Sequence, residues 1–600
     1  MFQQERQSIE TQILTYCAEN QIPDPGELQW TPIPFAGEWG ISTSFFKLAA
    51  QEARAGAKVN VPQRAQEISS DVAEYLGVPP GFIRVEAVKG YLNLYFNPGE
   101  FSCRVVDTVI EQGVNFGRGS TKDERVMVEY AQPNTHHSFH IGHYRNSILG
   151  EALARLVEFA GFDTIRASYP GDIGMGVITV LWIYDKFYKG QEPEGVHARG
   201  QWLLNLYVEA TELLTKKENE SPEEKAQREA YDTERREMLR KWDAGDPYVR
   251  QLWLETRQWS LDEFNAILDM MDIEIDVWFF ESEVDEPAKM IVNELIELGI
   301  AEDERPEGGA VIIKIDEKLG LKKEKYRTNV ILRNDGTTLY LTKDLALAKD
   351  KFEKYLIDRS VYVIDVRQSL HMQQTFAILN LWGFPQAEKC YHLGYGFVSL
   401  PGGAMAARHG RVVLFKDVVD EAVLRVLAEI EQKNPDMPES ERQAVALKVG
   451  LGALAYAMLS VDNNKDIVFD IDDALSFEGH TGPYIQYAHV RANSILRHME
   501  GPFPEPVTPT YEMHPTEVQL VDIISQFPAI VQRAADQYKP LHISNLAYDL
   551  ARAFNDFYNQ CPVLNSEPEV RNFRLRLVAA ARQAIANALF LLDISPPEIM

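Results

Sequence analysis

The sequence predicts an α/β protein: a doubly wound parallel sheet, preceded by a small α+β module, interrupted by a helical insertion and followed by an all-α bundle. Three observations predict it. Residues 125–161 read strand, loop, helix; residues 339–366 repeat that alternation; and from residue 479 onward the pattern is almost wholly helical. A chain of 600 residues exceeds what one hydrophobic core organises, so it divides into several domains. Its apolar share of 45 % and charged share of 25 % are globular averages, which excludes wholesale disorder and fibrous repeats.

The elements follow in order. Residues 1–118 form the α+β module, with Val61–Gly77 apolar at helical spacing and Gly90–Phe96 alternating at period two. The turn-rich stretch 115–124 leads into a buried strand, Arg125–Tyr130. A helix over His140–Gly161 then carries Ile148, Leu149, Ala152, Leu153, Leu156 and Val157 on one face, with Gly161 as its C-cap. The main domain spans 119–398, and its second half places strands at Leu339–Leu341 and Ser360–Val366 about a helical stretch, Asp344–Tyr355. Between the halves, residues 191–310 hold 31 Asp+Glu against 13 Lys+Arg in polar helical patterns, with no strand-like run before Val311. This is an acidic insertion. Residues 399–478 connect to the helical bundle, 479–600, which has a Pro-rich loop at 502–509.

A net charge of −29 argues against a protein that coats DNA or an anionic membrane. Of that total, however, −18 lies in residues 191–310 and only −3 in the C-terminal bundle, so a nucleic acid touching selected surfaces stays open. Cys17, Cys103, Cys390 and Cys561 lie far apart, which offers neither a disulfide framework nor a thiolate zinc site. The stretch MFQQERQSIE lacks the apolar run expected of a secretory signal, and nowhere do eighteen apolar residues occur without a charge. A cytoplasmic protein that neither enters nor binds membranes is expected.

The chemistry concentrates in Ala131–Asn146, AQPNTHHSFHIGHYRN, with four histidines in eight residues where a strand gives way to a helix. His140 and His143, three apart at a helix start, project to the same side. The open backbone amides and dipole of that helix end favour a phosphate, and Gly142 lets a flat base approach the backbone. Zinc is the rival reading, but no Cys lies near and no Glu stands where a metalloprotease needs it. Nucleotide chemistry is the better account.

The string Phe139–His143, F-H-I-G-H, resembles the HIGH signature of class I aminoacyl-tRNA synthetases. The longer pattern V-E-Y-x-x-P-N-x-x-x-x-F-H-I-G-H-x-R resembles its arginyl-tRNA synthetase form. LYLTKDL at 339–345, YVIDVRQSLH at 362–371, SFEGHTGPYIQYAHVR at 476–491 and the ending from Ala551 extend the likeness. It implies a Rossmann-like catalytic domain, an N-terminal domain that contacts tRNA and a C-terminal anticodon-binding bundle. The implied reaction joins L-arginine to ATP, giving arginyl-adenylate and pyrophosphate, and then moves arginine to the terminal adenosine of its tRNA, with Mg²⁺ bound through the nucleotide and no zinc. The partners are tRNA and arginine, with no DNA and no membrane, and the enzyme is expected to be a monomer.

The resemblance also implies roles for residues. His140, Gly142, His143, Gly174 and Met405 bind ATP. Glu129, Asn134, Tyr340, Asp344 and Gln368 bind arginine, whose five-donor fork needs carboxylate, amide and phenol oxygens around it. Tyr340 and Asp344 are neighbours if their stretch is helical. Tyr484, Arg491 and Met600 meet the anticodon, and Tyr91 and Asn93, alternating on one strand face, meet the tRNA elbow.

Three departures stand out. The second class I signature, Lys-Met-Ser-Lys-Ser, is reduced to GGAMAARHGR at 402–411, where Arg408 is the remaining fixed cation. The compensating lysine seen in relatives, three residues before the first signature histidine, is His137. The expectation is therefore that a protonated His137 or His409 supplies part of the missing charge; it fails if alanine at each leaves the activation rate unchanged. Third, GDIGMG at 171–176 replaces the usual G-D-W-G-x-Q. Two alternatives remain in view: a catalytically impaired, synthetase-like tRNA-binding protein, suggested by Ala404, Ala406 and Ala407, and a different class I synthetase such as the cysteine enzyme.

Overall fold

A computed structural model describes residues 3–33, 38–399, 401 and 413–600. The central sheet has five parallel strands, numbered here within that sheet: β1 (Arg125–Glu129), β2 (Asp163–Ser168), β3 (Val277–Trp278), β4 (Arg359–Asp365) and β5 (Cys390–Tyr395). Their spatial order is 5-4-1-2-3. Helices cover the middle strands on both faces, so Val126, Met127 and Val128 of β1 and Val361 and Val363 of β4 are all buried and read as continuous apolar runs. The direction of sheet growth reverses between β1 and β4. In a sheet wound this way the two connections leave in opposite directions and open a crevice beyond the C-terminal ends of those strands.

The helix Ile141–Phe159 carries the chain from β1 to β2, and the six apolar positions expected on its core face are buried. Gly150 lets it sit close: a Cβ there would fall 2.2 Å from Cγ of Tyr130. The side chain of Asn146 ties the crevice together. It accepts from the Ala131 N–H at 2.6 Å and donates to the Val363 carbonyl at 2.7 Å, bridging the segment after β1 to β4.

Two expectations need correction. Leu339–Leu341 is not a strand: Leu339 precedes the helix Tyr340–Lys354, and Leu341 and Leu345 are buried one turn apart on it. Three apolar letters carry no period, so a buried helical turn reads like a short strand. Nor is 191–310 one helical body. Helices Val196–Leu214, Pro222–Asp243 and Pro247–Met270 share a core with Met175–Ile183 around Leu203, Leu206, Leu252 and Trp253. Val277–Trp278, however, is the edge strand of the main sheet, and Glu281–Glu297 packs on Tyr340–Lys354 within another core. A two-residue strand leaves no alternation to detect.

In the N-terminal region, Tyr91–Phe96 lies between Gly40–Ser44 and Phe82–Val88 in a four-stranded antiparallel sheet backed by the helix Val61–Leu76. The following helix, Pro98–Gln112, docks on the C-terminal bundle, where Asp107 pairs with Arg576 at 2.6 Å. That bundle consists of Gly482–Arg497, Pro515–Asp536, Leu541–Gln560 and Pro568–Leu591.

Candidate active site

Two cavities open side by side in the crevice, of about 470 and 490 Å³. One is walled by His140, Gly142, His143, Tyr395 and Phe397. The other is walled by Glu129, Tyr169, Glu281, Tyr340, Asp344 and His371. Gln132, Asn134, Ile364, Arg367 and Gln368 line both, so the cavities share one wall built from the segments that follow β1 and β4.

The histidine side is organised by helix capping. His140 is the N-cap residue, and its Nδ1 accepts from the N–H groups of Gly142 and His143 at 3.1 and 3.2 Å. The His140 N–H in turn donates to Nδ1 of His143 at 3.3 Å, and the two rings stack 3.6 Å apart. Burial lowers the pKa of His140 to about 4 and pushes that of His143 well below its usual range, so both rings are neutral at pH 7. With each Nδ1 accepting, the single ring proton of each sits on Nε2. The capping corrects one expectation. The first-turn amides are not open to a phosphate, because Gly142 and His143 donate to the cap and Ile141 donates to the Val413 carbonyl at 3.2 Å. The ring Nε2–H groups remain as donors.

The loop between β1 and this helix is strained. Ala131 and His136 hold positive φ values of 53° and 63°, each costing about 1–3 kcal/mol for a residue with a side chain. Buried hydrogen bonds hold them there, from Ala131 N–H to Asn146 and from His136 N–H to the Ser260 hydroxyl at 2.8 Å. His136 is buried against Thr256 and Thr135, and its pKa falls to about 3. His137 turns away from both cavities to pack edge-on against Tyr207 at 4.8 Å, and burial lowers its pKa. The expectation of a protonated His137 therefore meets a ring held neutral by the insertion helix Val196–Leu214.

The carboxylate side consists of pairs. Glu129, at the end of β1, forms a buried ion pair with Lys351; burial raises its pKa and the lysine opposes the rise. Glu281 accepts from Lys343 at 2.8 Å. Asp344 meets Nε2 of His371 at 2.5 Å; burial opposes the charged imidazole, but the hydrogen bond and charge of Asp344 outweigh it and raise the His371 pKa. The hydroxyl of Tyr169 and Oε1 of Gln132, both lining this cavity, are buried without a hydrogen-bond partner among the described residues. Such acceptors would meet a multi-donor guest.

All five residues expected to recognise arginine line this one cavity, and Tyr340 and Asp344 are indeed one helical turn apart. His140, Gly142 and His143 line the other. Gly174, with φ 107°, starts the helix Met175–Ile183 but lines neither, which corrects its expected place beside ATP. Met405, Arg408 and His409 lie outside the described residues. Glu281, His371, Tyr169 and Arg367 were missed. His371 had a signal, since it sits three residues beyond Gln368 at the start of the helix Ser369–Trp382.

On the expected tRNA surfaces, Tyr484 is half-buried beside Tyr548, with ring centres 5.6 Å apart. Arg491 donates to Asn555 at 2.6 Å and stacks on Tyr487 and Tyr558. Met600 packs in a separate cluster with Val426 and Val445. Tyr91 is 45 % exposed, but Asn93 is 2 % exposed and accepts from the Ser42 hydroxyl at 2.6 Å. The free strand face expected for both therefore holds only for Tyr91, because the central position of the strand buries Asn93.

Comparison with known proteins agrees. A family model described as the catalytic domain of class I (R) tRNA synthetases matches residues 105–471, and one described as the DALR anticodon binding domain matches 485–600. An arginine–tRNA ligase of Bdellovibrio bacteriovorus is 35 % identical over 512 residues, covering 85 % of this chain and 86 % of that one. One of Clostridioides difficile is 32 % identical over 537 residues, covering 89 % and 90 %. The solved structure of Thermus thermophilus arginyl-tRNA synthetase matches with a TM-score of 0.80 at 26 % identity, over 99 % of this chain and 100 % of that one. With this sheet, this crevice and these relatives, the chain belongs to the arginine–tRNA ligases, the arginine family of class I aminoacyl-tRNA synthetases.

Proposed function

We propose that this ligase holds the arginine side chain in the carboxylate-lined cavity and ATP in the histidine-lined one, so that the amino-acid carboxylate meets the α-phosphate at the shared wall. The observation that carries the reading is that wall: two cavities of substrate size, one rich in acceptors for a guanidinium and one offering two fixed Nε2–H donors, open into each other at the sheet's switch point. An arginine carboxylate oxygen attacks the α-phosphorus, the bond to the pyrophosphate breaks, and arginyl-adenylate forms. A hydroxyl of the tRNA's terminal adenosine then attacks the activated carbonyl and releases AMP.

His140 and His143 act as neutral donors to phosphate oxygens as charge builds, and stacking and capping keep both rings in place before substrate arrives. Asp344 and Tyr340 take the guanidinium, while Glu129 lies deeper and is shielded by Lys351. Mg²⁺ bound through the triphosphate would supply further charge neutralisation beside the Nε2–H donors of His140 and His143. Tyr484, Arg491 and Tyr91 contact the tRNA by stacking and pairing. Both cavities are built from one chain, so a monomer suffices. Among the described residues no helix is long and apolar enough to cross a membrane, and the four cysteines are unpaired, in keeping with a cytoplasmic enzyme.

Arginine-dependent exchange of pyrophosphate into ATP, with and without tRNA, tests the reading. Exchange that depends on Asp344 and His143 supports it. Absence of exchange in both conditions, with tRNA binding intact, would leave the impaired tRNA-binding alternative.

A further inference from the structure

Joining a carboxylate to a triphosphate brings two anions together, and catalysis of this kind needs positive charge that is already in place. Neither lysine that usually helps stands in this chain: the signature-loop position is Ala404 and the compensating position is His137. The four clustered histidines are poorly placed to supply the charge. Burial lowers the pKa of each, which disfavours the charged ring before substrate arrives.

Among the described residues, Arg367 is the one Lys or Arg that lines either cavity, and it lines both. Lys351 and Lys343 lie behind the arginine side, each bound to a carboxylate. Arg145 is buried, donating to the carbonyls of Phe397, Asn463 and Lys465. The Arg367 fork is held on one edge and one face. Its Nε and Nη2 donate to the two oxygens of Asp365 at 2.9 and 2.8 Å, and its guanidinium carbon stands 4.2 Å from the centre of the Phe397 ring. A guanidinium has five N–H donors, so three are left at the wall that the cavities share.

We infer that Arg367 is the preset cation of the activation step, neutralising the arginine carboxylate and the α-phosphate where the two cavities join. This rests on the two-cavity reading. It goes beyond that reading by assigning the missing signature charge to a residue at the end of β4, outside both signatures. Asp365 and Phe397 hold the fork on one edge and one face, and Arg367 stays charged at every working pH.

The test is tRNA-supported pyrophosphate exchange with Arg367→Gln and Arg367→Lys in the full chain, alongside thermal melting. Removing one preset charge-stabilising group lowers such rates by about 100-fold, so R367Q is expected to lose kcat by about that factor. KM for arginine and for ATP should each stay within about threefold, the melting temperature should be unchanged, and R367K should recover at least about tenfold because the charge returns without the fork. Exchange by R367Q within about threefold of the parent overturns the inference, as does an equal loss in both variants. Asp344→Asn separates the two claims: if it raises the arginine KM while R367Q is silent, the two-cavity reading stands and this inference falls. If Asp344→Asn and His143→Asn both leave exchange unchanged, the reading itself falls.

Discussion

The two sides of the crevice solve the same problem of buried polarity by opposite means. On the amino-acid side every buried or half-buried carboxylate has a cationic partner: Glu129 with Lys351, Glu281 with Lys343, Asp344 with His371. On the nucleotide side the polar groups are neutral rings apart from one ion pair, Arg367 with Asp365. The histidines are neutral, and the carboxyl behind their loop, Glu263, has no cation near it among the described residues, packs within reach of Gly200, and is pushed up by burial to about 8. Under the proposed assignment of the two substrates, the difference suits the guests. A cationic side chain is served by acceptor oxygens that their partners hold in place, whereas a polyanion is served by neutral N–H donors and one placed cation, with no carboxylate left bare nearby.

Breaking a pair on the amino-acid side gives the largest effect. Lys351→Met strands Glu129 in the core, and loss of one partner of a buried pair costs about 3–5 kcal/mol; urea denaturation should show a loss of that size, and a change below about 1 kcal/mol would mean that the pair is not what keeps this side folded. On the other side, Glu263 makes stability depend on pH. Its unfolded carboxyl releases a proton near 4.5 and the folded one near 8, so between those values the folded state binds more protons. Stability should therefore fall as pH rises from about 4.5 to about 8 and level off above, by on the order of a few kcal/mol, and Glu263→Gln should remove that share of the slope. If the melting curves of parent and variant keep the same pH dependence, the neutral-carboxyl account is wrong.

Asp344→Asn sharpens the contrast at the level of substrate. Charge-assisted hydrogen bonds contribute about 1.5–3 kcal/mol each, so the arginine KM should rise by about 100-fold while the ATP KM moves less than about threefold; equal shifts in both would mean that the cavities are not specialised. The smallest effect is expected at His137. As a neutral ring against Tyr207 outside both cavities, its replacement by Ala should change the exchange rate by less than about threefold, and a tenfold loss would restore the protonated-histidine idea.

Legibility followed distance along the chain. The elements around His140 and His143 could be read because strand, loop and helix lie within about forty residues and obey local rules. Asp344 and Tyr340 could be placed together once their stretch was helical. The pairs that tune them could not. Glu129 and Lys351 are 222 residues apart, and Glu281 and Lys343 are 62 apart, with Glu281 hidden inside a stretch read as acidic insertion. The capping role of His140 was also out of reach, because a histidine that closes its own helix start looks, as a string, like one that waits for a phosphate.

Sequence by itself determined the fold class, the family and the neighbourhood Ala131–Asn146 where four histidines cluster, since periodicity and motif spacing are properties of neighbouring residues. Only the tertiary structure decided which charges are compensated, which rings are neutral and which cation stands at the shared wall. Those depend on burial and on partners brought together by the reversal between β1 and β4, and a residue's net charge in a crevice is set by what surrounds it in space.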